Sequence, residues 1–264
     1  MLLLEILAYL ATGVISGVLA GMLGLGGGVV IVPALILVFN HLGLSPEWIT
    51  HLAVGTSLAT IAGTGGTAAM AHHRRGAVRW DLVRRLVPGI ILGAWGGSAL
   101  AGLLPQEGLR GVFGVFLLYV SSGMLGLRVE ARTGLAPGPW GFAAAGGGIG
   151  ALSAIVGIGG GTLTVPFLVR TGLTMRQAVA TSSACGLPIA LAGVIGFMVT
   201  GWSRQELPPL STGFVYWPAA LAILVTSMPM APLGVRLAHS LPMPLLKRIF
   251  GLLLLVVAVK LLAG

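Results

Sequence analysis

Gly24 to Pro33 reads GLGGGVVIVP, and Gly157 to Pro166 reads GIGGGTLTVP. The copies start 133 residues apart in a chain of 264, so each half carries one. Each interrupts a long apolar run with three consecutive glycines, which weaken a helix by ~1 kcal/mol per residue relative to alanine. A break of this kind survives inside a bilayer only where protein or a polar cavity encloses the freed backbone groups. The doubled stretch is therefore where function is to be sought.

The rest of the composition fixes the environment. Hydrophobic residues make up 56%, charged residues 8%, and the mean hydropathy is +1.02. A soluble domain needs more charge than this on its surface. Apolar runs of ~20 residues recur along the chain, and the alternation of a transmembrane β-barrel is missing. The sequence reads as an all-α polytopic membrane protein in contact with lipid. A formal net charge of +9 does not point to nucleic acid, because twelve of the 15 Lys and Arg cluster in a few short loops. Cys185 is the only cysteine, which excludes an intramolecular disulfide and a cysteine metal cluster. No cofactor is expected. Glu5 stands where basic residues would open a cleavable signal peptide, so none is expected.

Ten apolar segments can be drawn: 3–23, 28–40, 50–71, 83–103, 109–128, 138–156, 161–170, 176–199, 213–235 and 244–263. The second and seventh are too short to cross the ~30 Å hydrocarbon core and read as half-helices or re-entrant arms. The other eight are long enough. Arg74, Arg75, Arg79, Arg84, Arg85, Arg128, Arg132, Arg170, Arg176, Arg236, Lys247 and Arg248 fall on one side of the membrane, leaving Arg110, Arg204 and Lys260 on the other. The first set marks the cytoplasmic side, which puts both termini outside.

Five segments per half is an odd number, so the second half enters the membrane from the opposite face. This is an inverted-topology repeat. Ala53-Val-Gly-Thr-Ser57 matches Ala178-Val-Ala-Thr-Ser182, and Leu104-Pro105, Arg110 and Phe113-Gly114 match Leu241-Pro242, Lys247 and Phe250-Gly251. The expected organisation is a first repeat over 1–128, a cytoplasmic linker over 129–137 and an inverted second repeat over 138–264.

The first amides of a helix have no intrahelical acceptor and lie at the positive end of its dipole. Those groups belong to Gly26, Gly27, Gly28 and Val29 in one half, and to Gly159, Gly160, Gly161 and Thr162 in the other. Two such ends entering from opposite faces would meet near the midplane as an anion site. A plainer reading makes the glycines tight turns for close packing. The repeated pairs Thr56-Ser57 and Thr181-Ser182 could donate to the same anion, or could bond to carbonyls of their own or neighbouring helices. Thr60, Thr64, Ser183 and Thr164 are weaker candidates.

The six acids, Glu5, Glu47, Asp81, Glu107, Glu130 and Glu206, all fall in loops or at segment ends. Cation transport usually needs an intramembrane carboxylate, so an anion is favoured. His41, His51, His72, His73 and His239 read as boundary residues, with His51 at an outer vestibule as a sharper alternative. Trp48, Trp80, Trp140, Trp202 and Trp217 read as interfacial anchors, and Trp95 as packed in the bundle. The stripes Gly13/Gly17/Gly21 and Gly89/Gly93/Gly97 read as helix-packing faces. No nucleophile motif or Walker lysine occurs, so an enzyme is not expected.

Gly21-Met-Leu-Gly24-Leu-Gly-Gly-Gly28 with Pro33, its copy Gly157 to Gly161 with Pro166, and the AVGTS and AVATS segments resemble the TauE/SafE family of sulfite exporters over essentially the full chain. The resemblance implies transport of a small sulfur-containing anion, sulfite or an organosulfonate, usually outward across the bacterial inner membrane. An anion channel of the same architecture, or a non-transporting membrane scaffold, stay open beside it. The oligomeric state is not readable.

The orientation has a direct test in a Cys185→Ala background. A cysteine replacing Ala77 should be labelled by an impermeant thiol reagent only from the cytoplasmic side, and one replacing Ser203 only from outside. The reverse pattern would overturn the assignment.

Overall fold

The computed structural model describes residues 2–24, 26–126, 134, 137–204, 206–237 and 243–263, without the side chains of 2, 3, 23, 243–250 and 253. Most of the 129–137 linker lies outside the described residues, as do Arg128, Arg132, His239 and the Leu241-Pro242 motif.

Ten helices are described: α1 (Leu2–Leu23), α2 (Gly28–His41), α3 (Ile49–His73), α4 (Trp80–Leu103), α5 (Gln106–Met124), α6 (Pro139–Val156), α7 (Gly161–Arg170), α8 (Met175–Gly201), α9 (Trp217–Leu237) and α10 (Met243–Ala263). The expected segments return with ends shifted by a few residues. α2 and α7 are the short ones, at 14 and 10 residues.

Two expectations change. First, among the described residues α1, α4, α6, α8 and α9 are both long and apolar enough to cross a membrane, and α10 counts there only over Leu254–Ala263. α3 is long enough, at 25 residues, but it carries five threonines, a serine and three histidines. That polarity belongs to an interior helix that lines a site. Second, the ninth segment does not start as a helix at 213. Ser211–Thr212 (β1) and Val215–Tyr216 (β2) form a small antiparallel hairpin, with Ser211 opposite Tyr216. Gly213 sits at φ 53, a left-handed conformation that glycine adopts without strain, and the helix starts only at Trp217.

The packing repeats with a shift of five elements. α1 lies on α9, and α6 lies on α4. α3 packs on α9, and α8 on α4. α2 packs on α3, and α7 on α8, while the pairs α3–α8 and α5–α10 join the halves. The match reaches single residues: Gly114 abuts the Leu262 side chain, and Gly251 abuts that of Leu125. The last pair keeps the 137-residue offset of the Phe-Gly motifs.

Glycine stripes account for the two tightest helix pairs. A Cβ on Gly13, Gly17 or Gly21 would strike Ile223, Ser227 and Ala231 of α9 in turn. One on Gly89, Gly93 or Gly97 would strike Ala143, Gly147 and Ala151 of α6. Partner numbers rise together, so the helices of each pair run parallel. Small residues let backbones touch where lipid offers no hydrophobic drive for association.

The apolar core divides in two. One cluster gathers Phe39, Trp48, Leu52, Phe113, Phe197 and Phe214 around the start of α3. The other gathers Leu82, Leu86, Ile90, Phe142, Leu168 and Ile189 around α4 and α8. Trp140 and Trp202 are exposed, as interfacial anchors should be. Trp95 is also exposed, where packing in the bundle was expected, and Trp48 is buried where an anchor was expected.

Gly93→Val would drive its side chain into the Gly147 backbone, whereas Gly96 has no neighbour within 4 Å of its Cβ position. Gly93→Val should lower the Tm of purified protein by about 5 °C or more, given ~1–3 kcal/mol for overpacking. Gly96→Val should stay much closer to wild type. Equal effects of the two would contradict the packing assignment.

Candidate functional site

Helix α1 ends at Leu23, and the chain turns through Gly24, Gly26 and Gly27 at φ 66, 73 and 82 before α2 starts at Gly28. Helix α6 ends at Val156, and the chain turns through Gly157 and Gly160 at φ 72 and 74 before α7 starts at Gly161. Both N-caps, Gly27 and Gly160, are left-handed and lack a capping side chain. Their carbonyls accept from the amides three and four residues on, Val30 and Ile31 in one half and Leu163 and Thr164 in the other. The preceding amides of α2 and α7 are the ones a helix leaves without internal acceptors.

The two breaks touch. A Cβ on Gly26 would lie 2.9 Å from the Gly159 Cα, and one on Gly159 would lie 3.1 Å from the Gly26 Cα. A Cβ on Gly28 would strike the Gly157 carbonyl. At these positions the absence of a side chain is what lets two backbones meet.

The hydroxyls explain what holds them. Ser57 Oγ donates to the Gly157 carbonyl at 2.8 Å, and Ser182 Oγ donates to the Gly24 carbonyl at a longer 3.4 Å. Ser57 matches Ser182, and Gly157 matches Gly24, so each half fastens the break of the other. The threonines turn elsewhere. The Tyr216 N–H donates to Thr56 Oγ1 at 3.0 Å, and the Arg79 N–H donates to Thr181 Oγ1 at 3.1 Å. Arg79 and Tyr216 immediately precede α4 and α9, which begin on Trp80 and Trp217. Thr56 and Thr181 thus brace those helix starts.

A small, partly open crevice is lined by Ala20, Gly24, Gly26, Ile61, Gly65, Ala68, Gly159, Ser183 and Gly186. It draws on both breaks and admits about one water molecule in this conformation. Its α3 wall steps from Ile61 through Gly65 to Ala68, toward the end of α3 that leads into Arg74, Arg75 and Arg79. Of the proposed hydroxyls, Thr60 donates to the Ser57 carbonyl at 2.7 Å, Thr64 to the Thr60 carbonyl at 2.9 Å and Ser183 to the Val179 carbonyl at 3.1 Å. Val29 is buried in the apolar core, and Thr162 is half-buried with an unpartnered Oγ1.

The opposite end is sealed. Phe214, at the hairpin turn, is fully buried, and its ring lies 5.0 Å from that of His51 and 5.2 Å from that of Trp48. The Arg204 guanidinium stacks 4.5 Å over Trp48. His51 is fully buried, with Nε2 3.0 Å from the Ala101 carbonyl, so it belongs to this plug and not to an open vestibule. His72 is buried too, against the boundary position expected for it. Among the described acids, Glu5, Glu47, Asp81, Glu107 and Glu206, none is buried.

Sequence reasoning missed Ser153, Ile61, Gly65, Ala68 and Gly186. The 61-65-68 spacing on α3 was a helix-face signal, and Ser153 stands one turn before the Gly157 break.

The family described as sulfite exporter TauE/SafE matches residues 9–261. A probable membrane transporter protein of Haemophilus influenzae is 36% identical over 256 residues, covering 97% of each chain. One of Xylella fastidiosa is 28% identical over 97% of this chain and 94% of its own. One of Methanocaldococcus jannaschii is 24% identical over 87% of this chain and 85% of its own. No solved structure matches. With its apolar spans and this full-length match, the chain belongs to the TauE/SafE sulfite exporter family and is a multi-pass membrane transporter.

Proposed function

We propose that the protein is a secondary transporter that moves a small sulfur-containing oxyanion, sulfite or an organosulfonate, outward across the bacterial inner membrane. The observation that carries this reading is the abutment of two helix N-termini, Gly26 against Gly159, with no described carboxylate buried near them. Amides of Gly26, Gly27, Gly28 and Val29, and of Gly159, Gly160, Gly161 and Thr162, supply donors without a permanent charge, and the two positive dipole ends favour an anion between them.

Ser57 and Ser182 hold the breaks in place, and Thr56 and Thr181 hold α9 and α4 against them. The halves are inverted repeats that rock about the shared site. The pairing of elements under a shift of five supports this, because a motion of one half then has a counterpart in the other. The crevice wall on α3 runs toward the arginine-rich loop, which is the cytoplasmic side in the proposed orientation. Arg74, Arg75 and Arg79 raise the local concentration of anions at the entrance. The aromatic plug around Phe214 is the closed outer gate, which favours a carrier over a continuously open channel.

In proteoliposomes the wild-type protein should take up labelled sulfite, and unlabelled sulfite on the far side should accelerate uptake, as counterflow requires. Gly159→Ala adds a methyl group against Gly26 and Ile61 without a left-handed backbone to strain. It should cut flux by about tenfold or more, a loss of ~1.4 kcal/mol or greater. Gly148→Ala, with no neighbour within 4 Å, should transport normally. Full flux in Gly159→Ala would sink the site assignment, and absence of counterflow would favour a channel.

A further inference from the structure

The two breaks share a left-handed glycine after the first helix and another at the N-cap of the second, but they differ in the side chains around them. Ser153 Oγ and Thr164 Oγ1 are buried without a hydrogen-bond partner, and the two residues are 1% and 0% exposed. They lie 3.4 and 3.3 Å from the point that a Gly160 Cβ would occupy, so both hydroxyls converge on the N-cap of α7. This contrasts with Ser57, Thr60, Thr64, Ser182 and Ser183 close by, each of which donates to a carbonyl.

An unpaired buried hydroxyl costs stability, so its presence needs a reason. The fold itself does not require it. At the matching positions, 133 residues earlier, the first break carries Ala20 and Ile31, and it forms the same left-handed N-cap and helix start without them. The second break therefore holds two hydroxyls that its own repeat shows to be dispensable for the turn.

Their surroundings select the ligand. Both hydroxyls lie beside the first amides of α7, at the positive end of a ten-residue helix. Donors converge there with no carboxylate, an arrangement that suits an oxyanion with at least two oxygens to share. The tip of Ile189 on α8 covers this point, its Cδ1 being the atom nearest to where a Gly160 Cβ would stand. A flexible side-chain end can withdraw by a rotamer change.

We propose that Ser153, Thr164 and the N-terminal amides of α7 form a dedicated oxyanion subsite, capped by Ile189, so that the two halves of the repeat bind the anion unequally. The identity of the anion rests on the transport reading above; the inequality of the halves does not. In this arrangement the first break supplies backbone contact and the second supplies the directional donors. Discrimination of sulfite from chloride then resides in the second half, because hydroxyls placed for two oxygens gain little from a single spherical ion.

The test is calorimetric titration of purified full-length protein with sulfite, thiosulfate, sulfate, methanesulfonate and chloride, alongside the unliganded Tm. Ser153→Ala and Thr164→Val should each weaken binding of the preferred oxyanion by about tenfold or more. Neither should lower the unliganded Tm, since no hydrogen bond is lost. Thr164→Ser, which keeps the hydroxyl, should restore binding. Wild-type affinity in both hydroxyl-free variants would overturn the subsite while leaving the glycine-break reading intact. A lowered unliganded Tm with unchanged affinity would show that the hydroxyls hold a structural water, and would overturn it equally. Failure of the wild type to bind any of the oxyanions would overturn both.

Discussion

Everything in this bundle depends on two backbones meeting where no side chain stands between them. A Cβ on Gly26 would lie 2.9 Å from the Gly159 Cα, and the serine of each half fastens the break of the opposite half through its carbonyl. Inside a membrane a broken helix carries unsatisfied amides and carbonyls, each costing several kcal/mol if left in hydrocarbon. Here the carbonyls at the ends of α1 and α6 are met by Ser182 and Ser57, and the amides at the starts of α2 and α7 are enclosed by protein. The glycine stripes on α1 and α4 serve the same end at longer range, because they bring α9 and α6 close enough to enclose the breaks.

On this paired frame the two ends of the molecule differ. The segment before α4 is a basic loop that carries Arg74, Arg75 and Arg79 at the surface, with Arg75 reaching the Val235 carbonyl at 3.1 Å. The segment before α9 occupies the matching place as a hairpin, and it drives Phe214 into the core against Trp48, His51 and Phe197. One end is thus exposed and cationic, and the other is buried and aromatic. Gly55 and Gly201 make room for the hairpin backbone, so the plug is built into α3 and α8 and not merely laid over them.

Much of this was legible from the residues. The doubled glycine stretch, the two short helices and the packing stripes follow from residue size and apolar length, which are local properties. The meeting of the breaks also followed, because it needs only the repeat and its spacing. The hydroxyls were harder. Thr56 and Ser57 are adjacent on a helix, about 100° apart, so they serve different neighbours, and the sequence alone does not say which of the two faces the break. The hairpin was masked because Phe214, Val215 and Tyr216 run without a break into the apolar start of α9, and the left-handed Gly213 that turns the chain lies before them. His51 and Trp48 read as boundary residues because they precede an apolar run, and the fold then buried them beneath a segment some 160 residues away. Ser153 lay within an unbroken apolar helix, where a lone serine carries no signal until its partner across the break is known.

The most direct measurement is an experimental structure of the protein with selenite, which matches sulfite in shape and charge and can be located by its anomalous scattering. The expected result is a single selenium peak between the N-termini of α2 and α7, within hydrogen-bonding reach of the amides around Gly26 to Gly28 and Gly159 to Gly161. A peak confined to the Arg74–Arg79 loop, with none at the paired breaks, would contradict the site.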